Sequence, residues 1–511
     1  MKNYISKLKM IGILLLAGSA FTACSSSDDE INRIGNDERK VTLVVRATKG
    51  TDRALTRALA DEGATISATW TEGDEVAVYS NTTKIGTLTA TPDATDATKA
   101  TLSGSVSGTL TSGNSLTLRY KYAAGYLQNQ DGTLETIANK FDYASATVTV
   151  NPITPGATET VVTTTDADFQ NMYAIVKFSL ANASGSVNAQ VLNFIIDSKY
   201  YNATLTTASS ELYVAMPGIS NKKLPIVVYD GTNGYRKVQE GVTFAAGKFY
   251  KVNITFGEPL SAPAGAEAVD LGLASGTKWA NMNVGASSET GIGIYFAWGE
   301  VMGFKSNTDY DKYVFNVDNN VWLYGSSASD TPVYKYISTT NNNNNLWKGS
   351  GPKDGKLTLE AADDAATVYW GGPWKMPTPD QFQELCNTKS DTENYLWTYC
   401  DGTNTQYKES SQPGWKIEVI KDGDLNGRGN FHGNTIFIQT HTSLTEEANS
   451  GGISPYYPNV GNYWTSKVTT GNYPGNAYGY RINSSETGYE VYTGAWSNSN
   501  RRVGMQVRPV Q

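Results

Sequence analysis

Histidine is almost missing from this 511-residue chain: only His432 and His441 occur. A catalytic triad built on histidine, or a zinc site with several imidazoles, is therefore hard to assemble, and hydrolytic and zinc chemistry lose their usual residues. Cysteine is scarce as well, with three in all, which makes the place of each one informative. Charged residues are only 18% of the chain, net charge is −8, and no stretch is markedly basic, so nucleic acid is a poor candidate partner. Beyond the N-terminus no apolar run approaches the ~18 residues that cross a bilayer. Helical periodicity is sparse. What the chain does hold is Gly, Thr, Ser, Asn and Tyr, with short runs of alternating polarity, which is the composition of an exported β-protein. Its length suits about two to four domains.

The N-terminus reads as a signal peptide. Lys2, Lys7 and Lys9 form a basic region, and Met10 to Gly18 is an apolar stretch too short for a permanent span. Small residues then lead into Cys24. Phe21-Thr22-Ala23-Cys24 resembles the bacterial lipoprotein box, with Phe21 where that family usually has Leu. The resemblance implies removal of residues 1–23 and lipidation of the Cys24 thiol. A plain secretory peptide with a nearby Cys is the other reading. Ser25-Ser26-Ser27-Asp28-Asp29-Glu30 resembles the acidic export tag of Bacteroidetes surface lipoproteins. That implies an outer-membrane, cell-surface position; by physics alone the run is a solvated tether over 24–39, and a periplasm-facing position stays open.

Strand patterns fill the next two hundred residues. Lys40–Ala47 alternates, and Thr69 to Tyr79 reads as strand, turn at Glu72-Gly73-Asp74, and strand. Further strands are expected near 85–90, 100–105, 115–122 and 146–150, then at 174–180, 191–197, 203–206, 211–216, 223–229 and 248–256. Residues 151–166 are rich in Pro and Thr and read as a junction. The segment Trp70-Thr71-Glu72-Gly73-Asp74-Glu75-Val76-Ala77-Val78-Tyr79 and the closing run Gly247 to Phe256, with the lipoprotein signal and the Arg-containing loop, resemble the fimbrillin family of Bacteroidales pilus subunits. The resemblance implies two tandem transthyretin-like β-sandwich subdomains, over 40–155 and 165–257. It also implies that an Arg-specific protease cuts after the first strand, at Arg53 or Arg57, and that other fimbrial subunits join by strand exchange. An ordinary exposed Arg is the plain alternative.

Residues 258–267 are rich in Pro, Ala and Gly and read as a linker. Ten of the eleven Trp lie beyond it, so the last domain is expected to hold irregular loops on aromatic anchors. Its markers are Val269-Asp270-Leu271-Gly272-Leu273, Lys278-Trp279-Ala280, Tyr295-Phe296-Ala297-Trp298-Gly299-Glu300, Trp374-Lys375-Met376-Pro377, Gly461-Asn462-Tyr463-Trp464-Thr465-Ser466 and Val507-Arg508-Pro509-Val510. In this order they resemble the Fibrobacter succinogenes major paralogous domain, over 268–511. Ile436 to His441 departs from that family, which usually carries Pro-Ala-Ala-Gly after the strand. The resemblance implies an α+β, C-type-lectin-like fold. Thr378-Pro379-Asp380 should start a helix, with Phe382 and Leu385 on its buried face. Met505–Val510 should close the domain beside its opening strand.

The candidate chemistry is modest. Cys386 and Cys400 either pair as a disulfide or remain thiols. Asp422-Gly423-Asp424-Leu425-Asn426-Gly427 looks like half a calcium loop, but Gly433 stands where a bidentate Glu is wanted, and a hairpin turn is the plainer reading. No metal or cofactor is assigned. Tyr456, Tyr457, Tyr492 and Trp496, flanked by Asn and Ser, have the chemistry of a carbohydrate site; core anchoring is the alternative for each. The whole reads as a mainly β, lipid-anchored surface protein, a fimbrial tip or accessory subunit acting in adhesion. Its C-terminal domain would bind a host or microbial glycan or protein. A glycan-binding outer-membrane lipoprotein outside any pilus is the alternative, and an enzyme a remote one.

Overall fold

Strands form where alternation lets one face be buried and the other wetted. The computed structural model describes residues 40–49, 60–61, 66–121, 127, 130–153, 161–196, 199–303, 356–400, 413–440, 444–446, 453–455, 460–468, 477–483, 489–492 and 504–511. The chain is mainly β. In β1 (Lys40–Lys49) every second residue from Leu43 to Lys49 is buried. After the short pair β2 (Ala60–Asp61) and β3 (Ile66–Ser67) come β4 (Glu75–Ser80), β5 (Thr83–Pro92), β6 (Lys99–Ser107), β7 (Ser115–Tyr120), β8 (Ala144–Thr149), β9 (Val161–Thr163) and β10 (Ala167–Asn171). They form one eight-stranded sheet in the order β10-β8-β7-β4-β5-β6-β1-β9, and β1 also pairs with β10. The strands of the first body are thus joined in one hydrogen-bonded sheet that closes through the β1–β10 pair. β1 has antiparallel β6 on one side and parallel β9 and β10 on the other. Trp70 plugs the interior, edge-on to Tyr120 and Phe169. The expected strand at Thr69–Trp70 is absent, and β4 begins only after the turn at Glu72–Gly73. The strands that follow the Pro- and Thr-rich stretch pair with β1. β9 and β10 rejoin the first sheet, but at three and five residues they are too short to give a clear periodic signal.

The second body is a two-sheet sandwich. One sheet is β12 (Gly185–Ser186), β11 (Tyr173–Asn182) and β15 (Glu211–Pro217), with β18 (Phe249–Thr255) parallel to β11. The other runs β14 (Lys199–Ser209), β13 (Ala189–Ile196), β16 (Ile219–Tyr229) and β17 (Gly234–Phe244). β17 escaped the sequence reading because its middle is half-exposed and charged, which breaks the alternation. The two bodies interlock. Leu127, Ile137 and Phe141, from the excursion between β7 and β8 that carries α1 (Leu134–Thr136), belong to the sandwich core. Gln130 fastens it: its side chain donates to Ala215 O at 2.9 Å and accepts from Ala215 N at 2.7 Å.

Residues 258–267 do not stand off as a spacer. Leu260 N donates to Gly234 O, and Leu260, Ala262 and Ala266 pack on the next core. The C-terminal region opens with β19 (Ala268–Asp270) and β20 (Lys278–Ala280) and carries α2 (Ala365–Trp370) and α3 (Pro379–Asn387). Its sheets are β21 (Tyr395–Cys400), β22 (Gly414–Val419) and β23 (Thr435–Gln439); β24 (Leu444–Glu446) and β25 (Ile453–Pro455); and β26 (Val460–Val468), β27 (Ala477–Asn483) and β28 (Tyr489–Tyr492). The last residues return to the opening strand, with Trp279 bridged to Val510 and Phe296 to Met505. α3 starts in a full capping box between Thr378 and Gln381, has Pro379 in its first turn, and buries Phe382 and Leu385.

Candidate functional site

The residues singled out from the sequence fall unevenly on the fold. Cys24, Arg53, Arg57, Tyr456, Tyr457 and Trp496 lie outside the described residues. Tyr492 ends β28, opposite Gly479. Cys386 and Cys400 are held as two separate buried thiols, one on α3 and one at the end of β21. Burial pushes the Cys386 thiol up to about 12, with Lys389 opposing only in part, so this sulfur stays protonated and unreactive at neutral pH.

The calcium-like loop spends its side chains on protein. Asp424 Oδ1 accepts from Gly429 N at 2.6 Å. Asn426, in a left-handed conformation, donates to Gly272 O at 2.7 Å. Arg428 grips Asp270 with two bonds of 3.0 and 2.8 Å. The loop thereby staples β23's approach to the opening strand. The segment from Ile436 to Thr440 is a structural hub. The Gln439 amide accepts from Asn283 and Arg508 and donates to the carbonyls of Glu289 and Gly291.

The arrangement with most chemical content sits in the first body and was not singled out from the sequence. Lys49 ends β1 on the inward parity set by Leu43, Val45 and Ala47, a position where a charged residue is a visible anomaly. It is 4% exposed. Its Nζ stands 3.7 Å from Asp74 Oδ2, 3.3 Å from the Trp70 ring centre and 4.4 Å from that of Tyr120. The turn before β4 places Asp74. Gly73 takes a φ of 83°, and Thr71 N donates to Asp74 Oδ2 at 3.0 Å. Asp142, just before β8, has no exposed surface, and among the described residues neither of its oxygens has a hydrogen-bond partner. Lys121 is close enough to act on Asp142 and donates from Nζ to Ala138 O.

Burial governs the electrostatics. It pulls the Lys49 amine down to about 7, against the charges of Asp142 and Asp74. It raises the Asp142 carboxyl well above the usual carboxylate range, against Lys49 and Lys121. Burial thus disfavours the charged forms of both Lys49 and Asp142, which meet a second carboxyl in the interior. Outside this cluster opens a groove of about 580 Å³, lined by Asp74, Tyr79, Lys84, Arg119, Tyr120 and Lys121. There the Arg119 guanidinium lies 4.3 Å over the Tyr79 ring.

No family model matches the chain, and no curated protein matches it. Solved structures similar to part of it include a candidate cell adhesion protein from Bacteroides uniformis, at 13% identity, covering 42% of this chain and 94% of that one, TM-score 0.25. A fimbrial assembly protein from Parabacteroides distasonis matches at 9% identity over 42% of this chain and 90% of that one, TM-score 0.23. The tip fimbrial protein of Porphyromonas gingivalis, truncated at its C-terminus, matches at 13% identity over 45% and 84%, TM-score 0.18. Likenesses of this strength carry no argument about function.

Proposed function

We propose that this chain is a lipid-anchored cell-surface adhesion protein, a tip or accessory subunit of a fimbria, whose region 268–511 binds a glycan or a protein. It acts by binding and not by catalysis. The sequence resemblances motivate the reading, and one structural observation supports it above others. The C-terminal region shares a core with the second body: Ile195, Val227 and Tyr229 pack in one cluster with Trp298, Val368 and Trp370. Gly234 approaches Val368 so closely that an added Cβ would sit 2.0 Å from the Val368 carbonyl oxygen. A binding region fixed in this way passes load directly into the β bodies.

The test is binding by the full chain to glycan and host-protein arrays, alongside co-purification with assembled fimbriae. Binding with co-purification is the expected result. Binding without co-purification makes it a glycan- or protein-binding lipoprotein outside any fimbria. Silence on both arrays removes the adhesive reading. Fatty-acid labelling that is lost in Cys24→Ser tests the anchor. Strand exchange would require a cut at Arg53 or Arg57 and departure of β1 from between β6 and β9–β10. An uncut N-terminus in isolated fimbriae excludes it.

A further inference from the structure

We propose that Lys49 and Asp74 become joined by an intramolecular amide bond inside the first body, with Asp142 carrying the protons. The inference does not depend on the adhesion reading. It rests on three side chains, two nearly and one fully buried, converging where no binding role explains them.

As an ion pair the cluster is poorly made. The Lys49–Asp74 contact is 3.7 Å long, and Asp142 is buried without a hydrogen bond among the described residues. Buried charges in such geometry recover little of their desolvation cost. As a reaction site the same geometry is well made. Lys49 N donates to Thr98 O at 2.9 Å and Ala90 N donates to Asp74 O at 2.8 Å, so both backbones are fixed. Nζ lies 3.7 Å from Oδ2, one bond away from the Cγ it would attack, so a side-chain adjustment can bring Nζ and Cγ to the ~3–3.5 Å approach that intramolecular reactions use. The Trp70 and Tyr120 rings wall off the amine, and burial brings it down to about 7, so that the uncharged, nucleophilic form is well populated at neutral pH.

The step balances without a cofactor. Asp142 gives its proton to Asp74 Oδ1. The lone pair of Lys49 Nζ attacks Asp74 Cγ, and the N–C bond forms as the carbonyl electron pair moves onto Oδ2. The Thr71 N–H, 3.0 Å from Oδ2, faces that developing charge. Asp142 then takes a proton from Nζ and passes it to Oδ1. The Cγ–Oδ1 bond breaks, and Oδ1 leaves as water. One amine and one carboxyl become one amide and one water, and Asp142 ends as a carboxylate facing Lys121. The bond would tie the end of β1 to the turn before β4. Since Arg53 and Arg57 lie between Lys49 and Asp74 in sequence, a chain cut there would stay one covalent molecule, and β1 could not be exchanged.

Mass spectrometry of the folded full chain tests this. The expected result is a digest containing a branched peptide that joins Lys49 to Asp74, one water lighter than its two parts. Lys49→Arg abolishes it. Asp142→Asn slows its formation by about 10²–10⁴-fold, the usual worth of a positioned proton-transfer group. Near-UV circular dichroism reports whether each variant folds. The wild-type digest decides the matter even if neither does. Separate, unmodified Lys49 and Asp74 peptides from folded wild-type chain overturn the proposal, and a branch from Lys49 to Asp142 overturns the choice of acceptor.

Discussion

Arg508 has no exposed surface, and its guanidinium bonds go to buried acceptors. Its guanidinium donates to Ala280 O at 3.0 Å, Phe437 O at 2.7 Å and Gln439 Oε1 at 2.8 Å. Burial pulls it down to about 10, which leaves it charged at neutral pH. Arg508→Met keeps bulk but strands three acceptors. We expect a loss of upwards of about 3 kcal/mol, read as an earlier denaturant midpoint by Trp fluorescence. Asp364 shows the opposite balance. It caps α2, accepting from Thr367 N at 3.0 Å and Met376 N at 2.9 Å, yet burial raises it to about 6. An ordinary Asp ionises near 4, so between about pH 4 and 6 the folded chain holds a proton that the unfolded chain has lost. Stability contributed by this group therefore falls as pH rises through that window, by at most about 1.4 kcal/mol per unit. Asp364→Asn should flatten that slope, which unfolding at a series of pH values would show.

Among the elements, α3 was fully legible. Its cap, its proline and the spacing of Phe382 and Leu385 are local signals, and the structure uses each of them. Thr378→Ala should cost about 1 kcal/mol, measured by thermal unfolding, since it removes the hydroxyl that accepts from Gln381 N and leaves only the Gln381 side chain on the Thr378 backbone N–H. The seam at β17 was not legible, because a strand edge with charged, half-exposed residues looks like loop. Gly234→Ala tests that seam. An added Cβ must displace the Val368 carbonyl, so we expect a loss of about 1–3 kcal/mol and faster proteolysis within 256–268. The strands read from alternation alone, such as β4, β7 and β11, hold because burial follows parity. β9 and β10 were missed, being too short to show a period. The Lys49 cluster was half legible. The inward parity of Lys49 is visible in β1, but Asp74 and Asp142 reach it only through the closure of the sheet, which no local pattern encodes. The aromatic residues proposed for ligand contact fall outside the described residues or, like Tyr492, on a strand known by its pairing alone.

At the scale of the whole molecule, the two β bodies and the C-terminal region are not beads on a string. The excursion holding Gln130 enters the second core, and the segment after β18 lies against the third. This bears on how the chain is made. Gln130 must wait for Ala215, 85 residues later in synthesis, before its bonds can form. The first sheet must wait for β9 and β10 before β1 gains its parallel neighbours. A nascent chain of this kind can complete neither body until most of both have emerged, so the two should fold together and not in turn.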